Sequence, residues 1–505
     1  SYNTLIDFLT DFALPGQRRF QQFQQAFGQS AFEFSTNDYN FFFQDDIRVD
    51  SRLTVNVGLR YEYQQLPQAQ IANPLFAATA EMPSDKNNFG PRFGFAYDVT
   101  GDGKTSVRGG FGMYYGRIIN STISNAITNT GTATSQRTFT FFPTTVGAPL
   151  FPNVLAGVPA TTTTVAPSIV AFAGDFENPQ IYQGDFIIER EIARNTIVSA
   201  SYLFSAGRNL PTFVDINLPA PITNPTPIRV VGGPFDGQSF TLPIFATAGG
   251  ARPNRDFGVI TQIRSDVDSQ YDALVLQLNR RLTAGLQLQT NYTLATATDS
   301  GQTSQTFTTA NAPLNPFDRS LEKSTSNFDI RHRFVASAVY TPNNFFGLGE
   351  SSLGRAIFNG FTIAPIVSIS SGAPYTAFIN GNATAPAGTT RIGSGVLGAG
   401  GTNRAPFIER NAFRFPSTAV LDLRISRRFN LGETRNIEIL AEGFNLFNRQ
   451  NITGIGTTAY VLSGSTLNFQ GVGGPASNPT FGIPNEAGNT IYRERQIQLA
   501  LRFQF

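Results

Sequence analysis

RLTVNVGLRYEY, residues 52–63, reads with a period of two. Its odd positions are Leu53, Val55, Val57, Leu59, Tyr61 and Tyr63, and its even positions are Arg52, Thr54, Asn56, Gly58, Arg60 and Glu62. Successive side chains of a strand point to opposite faces, so this segment is a ribbon with one apolar and one polar side. In 419–429, Ala419, Leu421, Leu423 and Ile425 oppose Asp422, Arg424, Ser426 and Arg428. The closing RQIQLALRFQF sets Ile497, Leu499, Leu501, Phe503 and Phe505 against Gln496, Gln498, Arg502 and Gln504. The dyad recurs in 92–99, 105–115, 286–294 and 361–369, and 39–49 is read as the first strand of the series. Helical spacing is confined to a short candidate at Thr4–Ala13.

Alternation alone also fits an antiparallel sandwich. Strand length and connections separate the two. The segments run about 9 to 13 residues, near the 9 to 11 that a tilted strand needs to cross a bilayer. Short connections fall at Asp50–Ser51, Thr100–Lys104, Ala193–Asn195, Thr283–Gly285 and Asn430–Thr434. Long ones fall at about 65–90, 117–178, 208–270, 298–329, 372–416 and 449–491. Loops this long are uncommon inside compact domains, whereas outer-membrane barrels pair short periplasmic turns with long extracellular loops. The expectation is an all-β transmembrane antiparallel up-and-down barrel over 39–505, with 1–38 a loop, short helix and further strand ahead of it. Thirteen strands count from residue 39, and 18–34 could supply another. Bacterial single-chain barrels have even counts, so about fourteen strands, or a larger barrel, is expected.

Composition agrees. Charged residues are only 14%, against about 25% in soluble domains, and no run approaches the 18 to 20 apolar residues of a transmembrane helix. A net charge of +2 offers no field for nucleic acid or anionic lipid. With no cysteine and a single histidine, His332, disulfides, thiolate sites and histidine-based triads are out. The chain opens at Ser1 without a basic n-region or apolar h-region, so either a leader was removed or the segment is the C-terminal piece of something longer.

In hydrocarbon a backbone survives only when paired on both sides. Leu53, Val55, Val57, Leu59, Leu421, Leu423, Ile497, Leu499 and Leu501 are therefore expected to meet lipid, and Asn56, Arg60, Asp422, Arg424, Gln498 and Arg502 the lumen. Tyr39, Tyr61, Tyr63, Phe503 and Phe505 would form the aromatic girdles, because tryptophan is absent. Asp45 breaks the pattern by sharing phase with Phe41, Phe43 and Ile47; a bulge or a place at the polar rim would explain it.

Chemistry-bearing residues are few. Asp46, Glu438 and Glu442 are read as lumen-lining groups paired with arginines such as Arg48 and Arg424 rather than as acid/base pairs. His332 is read as a polar strand-end residue. GSGVLGAGG (393–401) echoes a phosphate cradle but opens no helix, so it reads as a flexible loop; TGDGKT (100–105) reads as a polar hairpin turn. The loops 120–170 and 298–315, rich in Thr, Ser, Asn, Gln, Pro and Ala with scattered Phe, suit peptides or oligosaccharides better than dense anions, although plain solvated loops have the same composition.

DYNFFFQDDIRVDSRLTVNVGLRYEY (38–63), NNFGPRFGFAYDVTGDGKTSVRGGFGMYYGR (87–117), FDIRHRFVASAVYTP (328–342) and RNIEILAEGFNLFNRQN (435–451) resemble the barrel end of TonB-dependent outer-membrane receptors. The resemblance is to large receptors with a carboxypeptidase-regulatory-like domain ahead of the plug. Phe505, after alternating apolar residues, is similar to the terminal signal read by the barrel-assembly machinery. The resemblance implies a plug, a TonB-contacting segment and about 22 strands, and Ser1 falls well inside that layout. It implies ligand capture by the loops and TonB-coupled uptake in a Gram-negative outer membrane. The partners implied are outer-membrane lipid, the assembly machinery, the TonB system through the plug, and an unidentified ligand; no nucleic acid, cofactor, metal or enzymatic activity is expected. A passive porin-like channel, a structural or adhesive surface protein and, third, an outer-membrane hydrolase remain as alternatives.

Overall fold

Val55 pairs with Ile47 on one side and Phe95 on the other, and Asn56 pairs with Asp46 and Gly94, so the two phases of residues 52–63 continue across neighbouring strands. The structure is a computed structural model. It describes the chain outside residues 1, 3–4, 15, 21–22, 29–31, 133, 136, 142, 144–146, 158–165, 302–312, 342–358, 402, 433 and 490–491. Parts of the loop segments 120–170 and 298–315 lie outside the described residues.

Thirteen strands form one antiparallel sheet in which each pairs with its successor in sequence. They are β1 Asn37–Arg48, β2 Leu53–Gln65, β3 Phe89–Asp98, β4 Thr105–Tyr115, β5 Gln180–Ala193, β6 Thr196–Asp215, β7 Ile260–Thr283, β8 Leu286–Asp299, β9 His332–Tyr340, β10 Phe361–Ser370, β11 Thr418–Asn430, β12 Asn436–Phe444 and β13 Gln496–Gln504. Among the described residues the sheet is not closed: β1 and β13 are its two edges. An odd number of alternating strands makes those edges run in the same direction.

The short connections expected at Asp50–Ser51, Thr100–Lys104, Ala193–Asn195, Thr283–Gly285 and Asn430–Thr434 fall at one end of the main sheet; residues 341–360, between β9 and β10, fall at the same end and lie largely outside the described residues. β6 and β7 span 20 and 24 residues, so 208–215 and 260–270 belong to strands rather than to the long connection between them. These extensions pair with each other, and Ile169–Phe172 adds in parallel to Ile260–Ile263. The expected further strand in 18–34 exists at Phe23–Phe27, but it pairs with Arg137–Phe141 and not with β1. Phe20, Phe141 and Ala148 are buried there with Phe23 packed against them, which gives this separate two-stranded pair a small core of its own. Helix α1, Leu5–Ala13, agrees with the candidate at Thr4–Ala13, Thr4 itself lying outside the described residues. No described helix is long and apolar enough to cross a membrane.

Asp45 is settled in part. The β1–β2 register is unbroken from Asn37↔Gln65 to Arg48↔Thr54, so there is no bulge. Asp45 shares a face with its partner Val57, a few residues from the short-turn end.

Candidate functional site

Two regions carry the chemistry: the polar face of the sheet and the connections gathered over its long-loop end. Directly paired residues of antiparallel strands share a face, so the register sorts every side chain. Leu53, Val55, Val57, Leu59 and Tyr61 stand with Tyr97, Phe95, Phe93, Pro91 and Phe89. Leu421 and Leu423 stand with Val367 and Pro365, and Ile497, Leu499, Leu501 and Phe503 with Gly443, Ala441, Ile439 and Ile437. Tyr39 and Tyr63 stack with centroids 6.1 Å apart on this apolar face, and Phe503 and Phe505 stack at 5.7 Å. Phe505 itself is 93% exposed.

The opposite face holds Asn56, Arg60, Asp422, Arg424, Gln498 and Arg502. Asn56 hydrogen-bonds Asp46, and Arg60 donates to Glu62 at 2.6 Å. Arg424 lies 3.6 Å from Glu438 and 3.7 Å from Glu442, and Arg502 reaches Glu438 at 3.7 Å. The expected pairing of Arg424 with both glutamates is present. Arg48 does not pair with Asp46; it sits at the turn and donates to the Asp50 carbonyl at 3.3 Å. Asp422 accepts from the Asn445 amide at 2.8 Å, pinning the connection that follows β12.

A pocket of about 570 Å³ opens on this polar face across β1 to β7. One row of its lining runs Gln44, Gly58, Arg92, Gly112, Gln183, Ser205 and Tyr271, each paired with the next. The row below runs Asn56, Gly94, Gly110, Asp185 and Leu203. Glycine here supplies room for its neighbours: a Cβ on Gly112 would stand 2.7 Å from the Tyr114 hydroxyl, and one on Gly110 would stand 3.1 Å from Asp185 Oδ1.

Among the described residues the long connections are folded, which corrects the reading of 393–401 as a flexible loop. Ile228, Ile244, Phe245, Leu314, Ile379, Val396, Leu397, Tyr460 and Leu467, from four different connections, are buried in one core. A five-stranded mixed sheet spans it, in the order Ser239–Phe240, Ile228–Val231, Thr466–Phe469, Thr458–Ser463, Phe378–Asn380. Ile228–Val231 pairs in parallel with Thr466–Phe469, and Phe378–Asn380 in parallel with Thr458–Ser463. Burial pushes the Tyr460 hydroxyl up to about 12. The GSGVLGAGG stretch belongs to this core, because Val396 and Leu397 are buried and the backbone bonds to itself, Gly393 to Gly398 and Gly400 to Ser394. A second core gathers helix α2, Asn120–Thr128, through Ile123 and Ile127, with Phe172, Phe176, Phe213 and Ile263.

Three arginines of one connection are bound to carboxylates at the end of β8 and in the connection that follows it. Arg404 meets Glu322 at 2.8 Å, Arg410 meets Asp299, and Arg414 meets Asp329, with every carboxylate side chain nearly or fully buried. Sequence reading missed these pairs, because their partners stand about eighty to a hundred and ten positions apart and no local period marks them.

The remaining candidates are minor. His332 accepts or donates at Nδ1 with the Tyr292 hydroxyl at 2.9 Å, on the apolar face at the start of β9. TGDGKT is a polar turn: Asp98 accepts from Gly101 and Gly103, and the Thr100 hydroxyl with the Lys104 amide holds the Asp102 carboxyl down at about 2. Among the described residues no cluster of His, Cys, Asp or Glu could hold a metal.

A family model described as an outer membrane beta barrel domain matches residues 1–498. No curated protein matches the chain. Among solved structures, the outer membrane transporter YddB from Escherichia coli is 11% identical, with 96% of this chain and 49% of that one covered at a TM-score of 0.48. The ferripyoverdine receptor of the outer membrane of Pseudomonas aeruginosa is 10% identical, covering 93% and 39% at 0.45. The FrpB iron transporter from Neisseria meningitidis is 11% identical, covering 93% and 45% at 0.44. The chain spans about half or less of the length of these proteins.

Proposed function

The chain belongs to the outer membrane beta-barrel domain family and its place is the bacterial outer membrane; from that premise we propose that it is the C-terminal barrel part of a TonB-dependent receptor, of the kind with a carboxypeptidase-regulatory-like domain. The apolar face, with Leu53, Val55, Val57, Leu59, Leu421, Leu423, Ile497, Leu499 and Leu501, meets lipid. Tyr39, Tyr61, Tyr63, Phe503 and Phe505 sit at the two interfaces. The polar face, with Asn56, Arg60, Asp422, Arg424, Gln498 and Arg502, lines the lumen. The long connections are extracellular and capture the ligand, a peptide or an oligosaccharide, before energised uptake.

Unpaired edges cannot stand in hydrocarbon. Because β1 and β13 run in the same direction, antiparallel closure takes an odd number of further strands, giving the even total of bacterial barrels. This supports a larger barrel. The observation that carries the receptor reading is the interlocked extracellular cap: four connections share one core over a polar wall, which suits a capturing mouth better than an open pore.

The test is solute depletion by cells making the full-length protein, with and without TonB. Loss of uptake when TonB is removed is the expected result. Uptake that persists unchanged indicates a passive channel, and no depletion of any solute, with cap-dependent adhesion, indicates a surface protein. Phe505 is assigned to assembly: deleting it should lower the amount inserted in the outer membrane severalfold, read by surface labelling, and full insertion of the truncated chain would remove that role.

A further inference from the structure

A second pocket, of about 420 Å³, begins where the polar one ends. Tyr114 and Gly116 are successive same-face positions along β4 and its continuation, and Gln183 and Ile181 are successive on β5. The first of each pair lines the polar pocket and the second the upper one. The upper pocket is lined chiefly by Ile118, Ile119, Phe176, Ile181 and Leu210. Its one cation, Arg117, is already bound to Asp38 at 2.8 Å, so what it offers a ligand is apolar.

The polar pocket offers two charges. Arg92 lies 4.6 Å over the Tyr114 ring, its Nε has no hydrogen-bond partner, and it enters no ion pair among the described residues. Asp185, half-buried, likewise has no ion pair or hydrogen bond among the described residues. The two stand two strands and two residues apart in the register. At about 4.8 Å per strand and 3.4 Å per residue this is roughly 12 Å between backbones. The arginine stem spans part of that distance, leaving about the length of two or three extended residues.

We propose that the two pockets form one binding site for a short zwitterionic peptide with an apolar C-terminal residue. Its carboxylate sits on Arg92, its ammonium on Asp185, and its last side chain in the pocket of Ile118, Phe176 and Ile181. Charge complementarity selects this occupant. A neutral oligosaccharide leaves both charges unmatched in a half-desolvated wall, and a polyanion meets Asp185. Gly112 and Gly110, opposite Arg92 and Asp185, leave the room that the Tyr114 ring and the Asp185 carboxylate take up beside the pocket. This deepens the receptor reading and rests on it for the direction of transport, though not for the binding itself.

The test uses the full-length protein in detergent and titrates alanyl-alanyl-leucine, its C-terminal amide and its N-acetyl form. Each modification is expected to weaken binding at least tenfold. R92Q should abolish the preference for the free acid over the amide, D185N the preference for the free amine over the acetyl form, and I181Q the preference for leucine over alanine at the last position. Heat-modified migration of each variant reports that the barrel is intact. Equal binding of all three peptides, variants that leave the preferences unchanged, or binding of maltotriose in place of the peptide would each overturn the site. If TonB-dependent uptake of another solute is found while the three peptides bind equally, the receptor reading stands and the peptide site falls. If nothing is taken up, the receptor reading falls while the titration still judges the site.

Discussion

Replacing Arg410 by methionine is expected to destabilise the interlocked connections by roughly 3–5 kcal/mol, the cost of leaving a buried carboxylate without its partner. The Asp299 side chain is 1% exposed and Arg410 is 6% exposed. Arg410 also donates to the Asp299 carbonyl at 3.1 Å and the Glu322 carbonyl at 3.2 Å, tying the end of β8 to the connection after β10. Removing the guanidinium leaves three acceptors to be solvated by water that cannot reach them easily. The double change Arg410→Met with Asp299→Leu should recover most of the loss, because well-packed apolar replacements of buried pairs are often neutral or better. Among the described residues Asp299 Oδ2 and Arg410 Nη1 have no hydrogen-bond partner, which strengthens that expectation. Protease susceptibility of the cap across a denaturant series measures both. A single variant that loses less than about 1 kcal/mol, the worth of an exposed pair, would mean that the pair is not buried in the working protein.

Leu423→Arg is expected to cost about 2–4 kcal/mol if Leu423 lies near the bilayer midplane. Its paired neighbours Pro365 and Gly443 share its face and offer no counter-charge. Gln498→Arg, on the other face and paired with Glu442, should be nearly neutral. Reversible unfolding from lipid bilayers gives the two numbers side by side. Similar costs for both would break the assignment of the faces.

The strands were legible because a sheet with one apolar and one polar face has a strict period of two, as at Leu53–Tyr63 and Ile497–Phe503. Most connections followed from what interrupts that period. The far ends of β6 and β7 were not legible, because residues 208–215 and 260–270 pair beyond the alternating stretch and take a neighbouring segment, Ile169–Phe172, as a partner. The cap was not legible for a related reason. Ile228, Ile379, Val396 and Tyr460 meet only after four distant segments come together, and short parallel pairs such as Ile228–Val231 with Thr466–Phe469 leave no local pattern. One signal was overlooked: VLSGSTLNF reads as a tight hairpin, and Gly464 takes the positive φ of +58° that its turn requires. The pocket was half legible. Gly58, Gly94, Gly110 and Gly112 all fall on the polar phase, where missing side chains mean room rather than a weak strand.

The parallel pairing of Ile228–Val231 with Thr466–Phe469 joins two stretches of chain more than two hundred residues apart. The surface of that sheet therefore does not exist until both stretches have been made and brought together. Whatever recognises it, whether phage, toxin or antibody, recognises the folded cap and neither stretch alone.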